Sequence, residues 1–595
     1  MKTEHLKTFP WATLGRPETQ SDFWSKWQQQ RDSFRLFHNP ILFSILVVLP
    51  KQFSEETTKH HLEECFASLR EQSYQHWETI IVGCPSSIRM ARKLISADSR
   101  FKWIESSAHS ATKLRNHALD HASGSWIGEV DWCDVLSPIA LFQCALELQR
   151  APETSVLYSN EAQLDTHSKK ILRFLSKPNF SWFDLIHLNY IGGFWLVQNE
   201  LLKRLRFDTQ AGDHYQHDFF LRAALETENM KCVPRFLYYR RATFCPEIAQ
   251  ASLLPLINRH LKHKGITAQL SLHQNQSGSF AKISPAVDNP TEHLISAVIC
   301  FHNQVDLTNR CLRSLVRARG KVPLEVWLIN NGSSEAEVKE INNTIASLPF
   351  PVTMMDYPHA FNFAHMNNLI IKERCRGKYV LFLNNDVEWE EGSLDDLVSW
   401  LQFPWVGTVG ILLQYPNGLI QYGGFRGIFG GHARIARIGH VREKKDFVYC
   451  GKEVFGNTFA ACMVKKTTFD EAGGLRTLEL ANGFGDVVFN FECLQRGLKN
   501  LYLGHVRAVH LESASRGMSY EYWEEFALER EFPDILEKML HFDLGYDRTP
   551  ASDGSLRIFL KKEFIPILFE KWPGLYRVKP HLKRLVGRLL PILTH

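Results

Sequence analysis

Short apolar runs rich in β-branched residues alternate with amphipathic stretches along most of the chain. The runs at 44–50 (SILVVLP) and 296–301 (SAVICF) are almost continuously apolar, the pattern of a parallel strand buried on both faces. Each is followed by apolar residues at helical spacing, over 62–73 and 307–317. A second strand then ends in a turn: 78–82 runs into GCPSS, and 325–329 into NNGSS. A third strand ends in acids or amides: 126–130 into Asp131-Trp132-Cys133-Asp134, and 379–383 into Asn384-Asn385-Asp386. From Ser44 to Asp131 is 87 residues, and from Ser296 to Asn384 is 88. Matched order and spacing predict two copies of one α/β plan, each an open, mostly parallel sheet. Ligands of such sheets sit beyond the carboxyl ends of the strands, where these polar residues fall.

The polar segment 274–292 (QNQSGSFAKISPAVDNPTE) reads as a linker between a first domain over 40–273 and a second over 293–517. Helical extensions are expected at 1–39 and 518–595. Composition changes this picture little. The 595 residues are 44% hydrophobic and 12% aromatic, which excludes large-scale disorder. A net charge of +5 is too even for a dedicated nucleic-acid binder. The 12 cysteines are scattered without a C-x-x-C pair, which argues against structural zinc and fits a reducing compartment. No apolar signal core opens the chain, and no apolar stretch approaches the roughly 20 residues that span a bilayer. A cytoplasmic protein is therefore expected. The last 40 residues carry nine Lys/Arg against two Glu, interleaved with leucines. Such a tail suits either peripheral contact with the cytoplasmic face of an anionic inner membrane or a helix packed on the second domain.

The second copy resembles family 2 inverting glycosyltransferases of the GT-A fold, in the branch that includes bacterial rhamnosyltransferases of cell-surface polysaccharide assembly. The stretches that carry the resemblance are SAVICFHNQVDLTNRCLRSL, EVWLINNGSSE, FNFAHMNN, GKYVLFLNNDVEW, FGNTFAACMVKKTTFDEAGGL, NGFGDVVFNFECLQRGL and HLESASRG. The first copy resembles the same family through EQSYQHWE, ATKLRNHALDHASGSWIGEVD, VLYSNEAQLD and FLSKPNFSWFDLIHLNYIGG. The resemblance implies two tandem GT-A, Rossmann-like domains. It also implies transfer of a sugar from a nucleotide-diphosphate donor, dTDP-rhamnose first, to a glycan or polyprenyl-linked acceptor.

Such a transfer needs a nucleotide pocket, a cation against the departing diphosphate and a base for the attacking hydroxyl. The cation candidates are Asp386 and Asn384, joined by His510 in VHLESASRG. Oxygen ligands suit Mg²⁺ or Mn²⁺, although the D-x-D signature is relaxed here to Asn384-Asn385-Asp386. The base candidate is Asp486 in NGFGDVVFNF. Relatives often carry a second acid two residues on, where Val488 stands. For the nucleotide, the candidates are His302, Asn303, Asn330 and Asn385, with Phe361, Asn362, Asn367 and Asn368 of F-N-F…N-N. Each has a plainer account as a turn, cap or core residue.

The first copy departs from the family pattern three times. Gly83 and Cys84 replace an acidic pair, Asp131-Trp132-Cys133 loses the second carboxylate, and Gln216 stands at the base position. A domain that keeps the fold without catalysis is expected, unless Glu129, Glu161 or Asp213 compensates. Two competing accounts remain at this point: a non-catalytic glycan-binding scaffold, and a bifunctional transferase.

Overall fold

The computed structural model describes residues 39–241, 251–425 and 448–511. It omits short breaks at 52–55, 96, 109, 166–170, 176, 276–277, 479 and 481–482. It adds the strand pair Ala12–Thr13 and Arg16–Pro17, and residues 531–535 except 533. Within the expected helical extension 1–39 the described residues are this strand pair and residue 39, and otherwise both extensions, apart from 531–535, and the basic tail lie outside the described residues.

The chain forms two compact units, one up to Pro246 and one from Glu247 to Leu540. Among the described residues, the first holds a nine-stranded sheet and the second a ten-stranded one. The four leading strands of the second run parallel, in the order Val352–Asp356, Leu324–Asn330, Ile295–Phe301, Tyr379–Leu383. Ala461–Lys465, Val406–Gln414, Lys499–His510 and Val387–Glu391 complete the path. The first unit repeats this order: Phe101–Glu105, Trp77–Gly83, Phe43–Val48, Trp126–Glu129, then Trp195–Gln198, Val156–Leu164, Met230–Arg240 and Val135–Leu136. Chain order reverses beside Phe43–Val48 and Ile295–Phe301, which opens a crevice at their carboxyl ends. The expected tandem α/β plan is the observed one.

Local reasons for the elements are visible. Glu56–Arg70 buries Leu62, Cys65, Phe66 and Leu69, one helical stripe. Val305–Ala318 buries Cys311, Leu312, Leu315 and Ala318 in the same way. Phe43–Val48 and Ile295–Phe301 are buried on both faces, as their unbroken apolar character requires. The segment expected as a linker is instead part of a hairpin, in which Gly278–Pro285 pairs with Ala268–Asn275. Lys282 and Ser284 bind Asp396 at 3.0 Å, and Trp400 Nε1 donates to the Ile283 carbonyl. The division between units therefore falls earlier than 273.

The repeat extends to single hydrogen bonds. Ser44 Oγ donates to Glu78 at 2.6 Å and accepts from Gly124 N. Ser296 Oγ donates to Glu325 at 2.6 Å and accepts from Gly377 N. A Cβ on either glycine would lie 2.6 Å from backbone of the neighbouring strand, so neither position admits a side chain. Cys65 and Cys311 each donate from Sγ to a carbonyl just beyond the fourth parallel strand, that of Asp131 after Trp126–Glu129 and that of Asn384 after Tyr379–Leu383. Asn116 clamps Phe207 through its backbone N–H and carbonyl, and Asn368 clamps Leu475 identically.

Burial pulls the Glu325 carboxyl up, but bonds from Ser296 and Arg376 outweigh it and leave its pKa lowered. A carboxylate depressed by folding stabilises above its unfolded pKa, and the gain is lost as pH falls through its folded value. Glu325→Gln should destabilise the second unit by about 1–3 kcal/mol at neutral pH. It should also flatten that unit's loss of melting temperature on acidification, read by calorimetry across pH 3–7.

Candidate active site

Four strand ends and one helix start build the site of the second unit. The strand Tyr379–Leu383 delivers Asn384, Asn385 and Asp386 at its carboxyl end. Backbone alternation splits them. Asn385 is buried and its amide donates to Thr308 Oγ1 at 3.1 Å, pinning the helix Val305–Ala318. Asn384 and Asp386 meet His510, which the antiparallel pairing of Val387 with His510 carries in from the far side of the sheet. His510 Nε2 lies 3.2 Å from Asp386 Oδ1 and 3.4 Å from the Asn384 amide. Asp386 and His510 are only 7% and 9% exposed.

One carboxylate oxygen, one imidazole nitrogen and one reversible amide thus converge, a donor set that fits a divalent cation such as Mn²⁺. No group of three or more His, Cys, Asp or Glu that could hold a metal occurs among the described residues. The remaining ligands would have to come from substrate.

Asp486 occupies the first turn of the helix Gly485–Gln495, entered through Phe484 in the left-handed region (φ 52°). Its Oδ1 accepts from Val487 N at 2.9 Å, and its Oδ2 from Phe459 N at 3.2 Å. The next residue, Ala460, accepts from Asn384 N through its carbonyl at 2.9 Å. One short run of backbone therefore connects the base candidate to the cation candidate. The Phe459 ring reinforces it, stacking on Phe382 with centroids 4.1 Å apart and meeting Phe489 of the helix edge-on. Beneath lies a buried amide network that the sequence reading missed. Asn490 bonds to Asn457 both ways and donates to the Asp486 carbonyl. Thr408 joins Asn490 to Asn500. The available signal was a set of asparagines inside apolar runs, at 457, 490 and 500, since buried amides need partners.

The nucleotide candidates divide. His302 and Asn303 do stand at the crevice mouth. Asn303 and Gln304 both hold positive φ, and His302 Nδ1 lies 2.7 Å from the Asn331 carbonyl. Asn330 uses its amide internally: Oδ1 accepts from Ser333 N, and Nδ2 donates to Asp356 at 2.8 Å. The exposed Asp356, at the end of Val352–Asp356, is a carboxylate beside Asn330 that the sequence reading did not single out. Asn362 caps Phe363–Glu373 and donates to the Thr477 carbonyl. Asn367 is buried against Phe363 O, and Asn368 holds Leu475. Asn362 and Asn368 thus anchor the loop at Leu475 and Thr477 that leads toward Asp486, and Phe361 is 40% exposed beside them.

The first unit has different side chains, several of them ion-paired, at the equivalent positions. Strand register sets Arg240 where the second unit has His510, and Cys133 where it has Asp386. Arg240 lies 3.6 Å from Glu161, which Lys177 also holds at 2.9 Å. Asp134 accepts from Tyr238 and Arg241 N, and desolvation, with Asp131 nearby, pushes its pKa up to about 6. Arg241 pairs with buried Glu64. Gln216 is the second residue of Tyr215–Glu226, as Asp486 is of its helix. Tyr215 stands in the position of Gly485, and its hydroxyl bonds to Glu129, which Arg115 also holds. Glu129 and Glu161 are thus already neutralised, while Asp213 is exposed on the turn Gly212–His214.

Residues 53–206 and 296–473 both match the family model described as Glycosyl transferase family 2. Together they take in more than half of the chain, which belongs to that family and carries its domain twice. Among curated proteins, the chain is 28% identical over 531 residues to the O-antigen biosynthesis protein RfbC of Myxococcus xanthus, covering 83% of this chain and 40% of that protein. It is 26% identical over 486 residues to Uncharacterized protein y4gI of Sinorhizobium fredii, covering 77% and 52%. The chain therefore spans about half or less of these relatives' length. Among solved structures, the mannosyltransferase PcManGT from Pyrobaculum calidifontis, in complex with GDP-Man and Mn²⁺, is 17% identical with a TM-score of 0.30. That match covers 41% of this chain and 68% of that one, a likeness too slight to bear on the site.

Desolvation raises the Asp486 pKa, and the bonds from Phe459 and Val487 only partly oppose it. A carboxyl raised by folding supports the fold below its unfolded pKa, and that support is lost as pH rises through the folded value. Asp486→Asn should therefore melt higher than the native protein at pH 8, with the difference shrinking toward pH 4.

Proposed function

We propose that the second domain transfers one sugar from a nucleotide-diphosphate donor, dTDP-rhamnose being favoured, to a glycan or polyprenyl-linked acceptor of cell-surface polysaccharide. The transfer inverts the anomeric carbon. The observation that carries this reading is the 458–460 backbone run, bonded to Asp486 on one side and to Asn384 of the cation cluster on the other. The relationship to an O-antigen biosynthesis protein supports the polysaccharide context.

In this reading the ionised Asp486 takes the proton of the acceptor hydroxyl. The acceptor oxygen forms its bond to the anomeric carbon from the face opposite the diphosphate. The bond from that carbon to the diphosphate oxygen breaks, and the electron pair leaves with the nucleotide. Asp486 is suited to this because poor solvation makes its ionised form a stronger base than an exposed carboxylate. Asp386, Asn384 and His510 would hold Mg²⁺ or Mn²⁺, which supplies positive charge against the departing diphosphate. Asp356, with His302 and Asn303, lines the nucleotide end.

The first domain serves as a non-catalytic partner, a reading supported by the pairing of Glu64, Glu129 and Glu161 with Arg241, Arg115, Lys177 and Arg240. No helix among the described residues is long and apolar enough to cross a membrane. The basic, leucine-rich tail supports peripheral attachment to the cytoplasmic face of an anionic membrane.

Asp486→Asn should lower kcat about 10²–10⁴-fold while leaving donor affinity nearly unchanged, as measured with a panel of nucleotide sugars. Unaltered turnover in that variant would remove Asp486 from the mechanism. Native kcat/KM should rise with pH through the raised pKa of Asp486. Mn²⁺ should bind at one ion per chain, and Asp386→Ala should abolish that binding; two ions per chain would indicate that the first domain keeps a site.

A further inference from the structure

An imidazole offers a lone pair from Nε2 only when its neutral ring carries the proton on Nδ1. His510 has its Nδ1 2.7 Å from Gln421 Oε1. Gln421 lies on the strand Ile420–Tyr422, which is paired to Val406–Gln414. The orientation of its amide is determined by a second contact. Gln421 Nε2 stands 3.4 Å from the His510 carbonyl, which cannot donate, so the NH₂ end of the amide must face it. Oε1 is then left against the ring, and an amide oxygen only accepts. The proton between them therefore belongs to His510 Nδ1, and Nε2 turns toward Asp386 Oδ1 and the Asn384 amide, the side on which a neutral ring would offer its lone pair to a cation. Gln421 is 6% exposed, so water does not readily compete for the ring nitrogen.

We infer that Gln421 is a positioning residue, which fixes the tautomer and ring orientation of His510 so that Nε2 can ligate a divalent cation. This rests on the reading of Asp386, Asn384 and His510 as the cation site. A neutral amide is a fitting partner there. It accepts the Nδ1 proton as a carboxylate would, yet adds no second negative charge beside Asp386. Partners of this kind typically change metal affinity by 10–100-fold when removed.

Two readouts on the full chain test the inference. Nitrogen-15 NMR of the metal-free protein, with the His510 signal identified by its loss in His510→Gln, reports the tautomer. Electron paramagnetic resonance titration with Mn²⁺ alone reports affinity. The native protein should show Nδ1–H at His510. Gln421→Leu should shift that ring toward Nε2–H and weaken Mn²⁺ binding about 10–100-fold. Gln421→Glu keeps the acceptor and should hold the native tautomer and an affinity within a few-fold of native, which a merely space-filling role would not explain. Native tautomer and affinity in Gln421→Leu would overturn the inference, as would a Gln421→Glu variant as weak as Gln421→Leu. A native chain with the expected tautomer but no Mn²⁺ binding would overturn the cation-site reading and, with it, the role assigned to Gln421.

Discussion

The site of the second domain depends on three residues of backbone, Thr458 to Ala460. The Phe459 N–H is held by the Asp486 carboxylate, and the Ala460 carbonyl is held by the N–H of Asn384. Without that run, a helix start and a strand end separated by about a hundred residues of chain would have no fixed relation. Its position is overdetermined, because Phe459 stacks between the strand and the helix while Asn457 enters the buried amide network below. A carboxylate placed this way is poorly solvated, which disfavours its charged form.

The two domains share a set of scaffold hydrogen bonds within one chain. Ser44 and Ser296 bond to glutamates in the same way, Cys65 and Cys311 reach the same carbonyl, and Asn116 and Asn368 make the same clamp. Those bonds are needed wherever a buried polar group lies between packed strands and helices. Around the crevice the two copies diverge. The second has Asn384, Asp386 and His510 there, whereas the first has Asp131, Cys133 and Arg240 at the corresponding positions. In the first copy Glu64, Glu129 and Glu161 each have an internal cation against them.

Much of the fold was legible in the chain. Unbroken β-branched runs announced central parallel strands, helical apolar spacing announced the crossover helices, and the doubled spacing announced the repeat. The hairpin of Ala268–Asn275 with Gly278–Pro285 was not legible, because its alternating polar residues and Ser-Gly pair read as linker composition until Asp396 and Trp400 were seen to meet it. In the site, Asp386, Asn384 and His510 were recognisable as a set, although nothing local shows that residues 124 positions apart touch. Asn385, Asn367 and Asn368 carried equal promise as motif residues and turned out to hold scaffold instead.

Residue order alone determined which elements form and where their polar ends lie, because periodicity, capping and turn chemistry act over a few residues. Tertiary structure decided which polar ends meet. Asp356 reaches Asn330 only because their strands are neighbours, and Gln421 reaches His510 only because its strand edges the sheet. Such pairings follow from sheet order and register, and these are set by the packing of the whole domain rather than by any local run of residues.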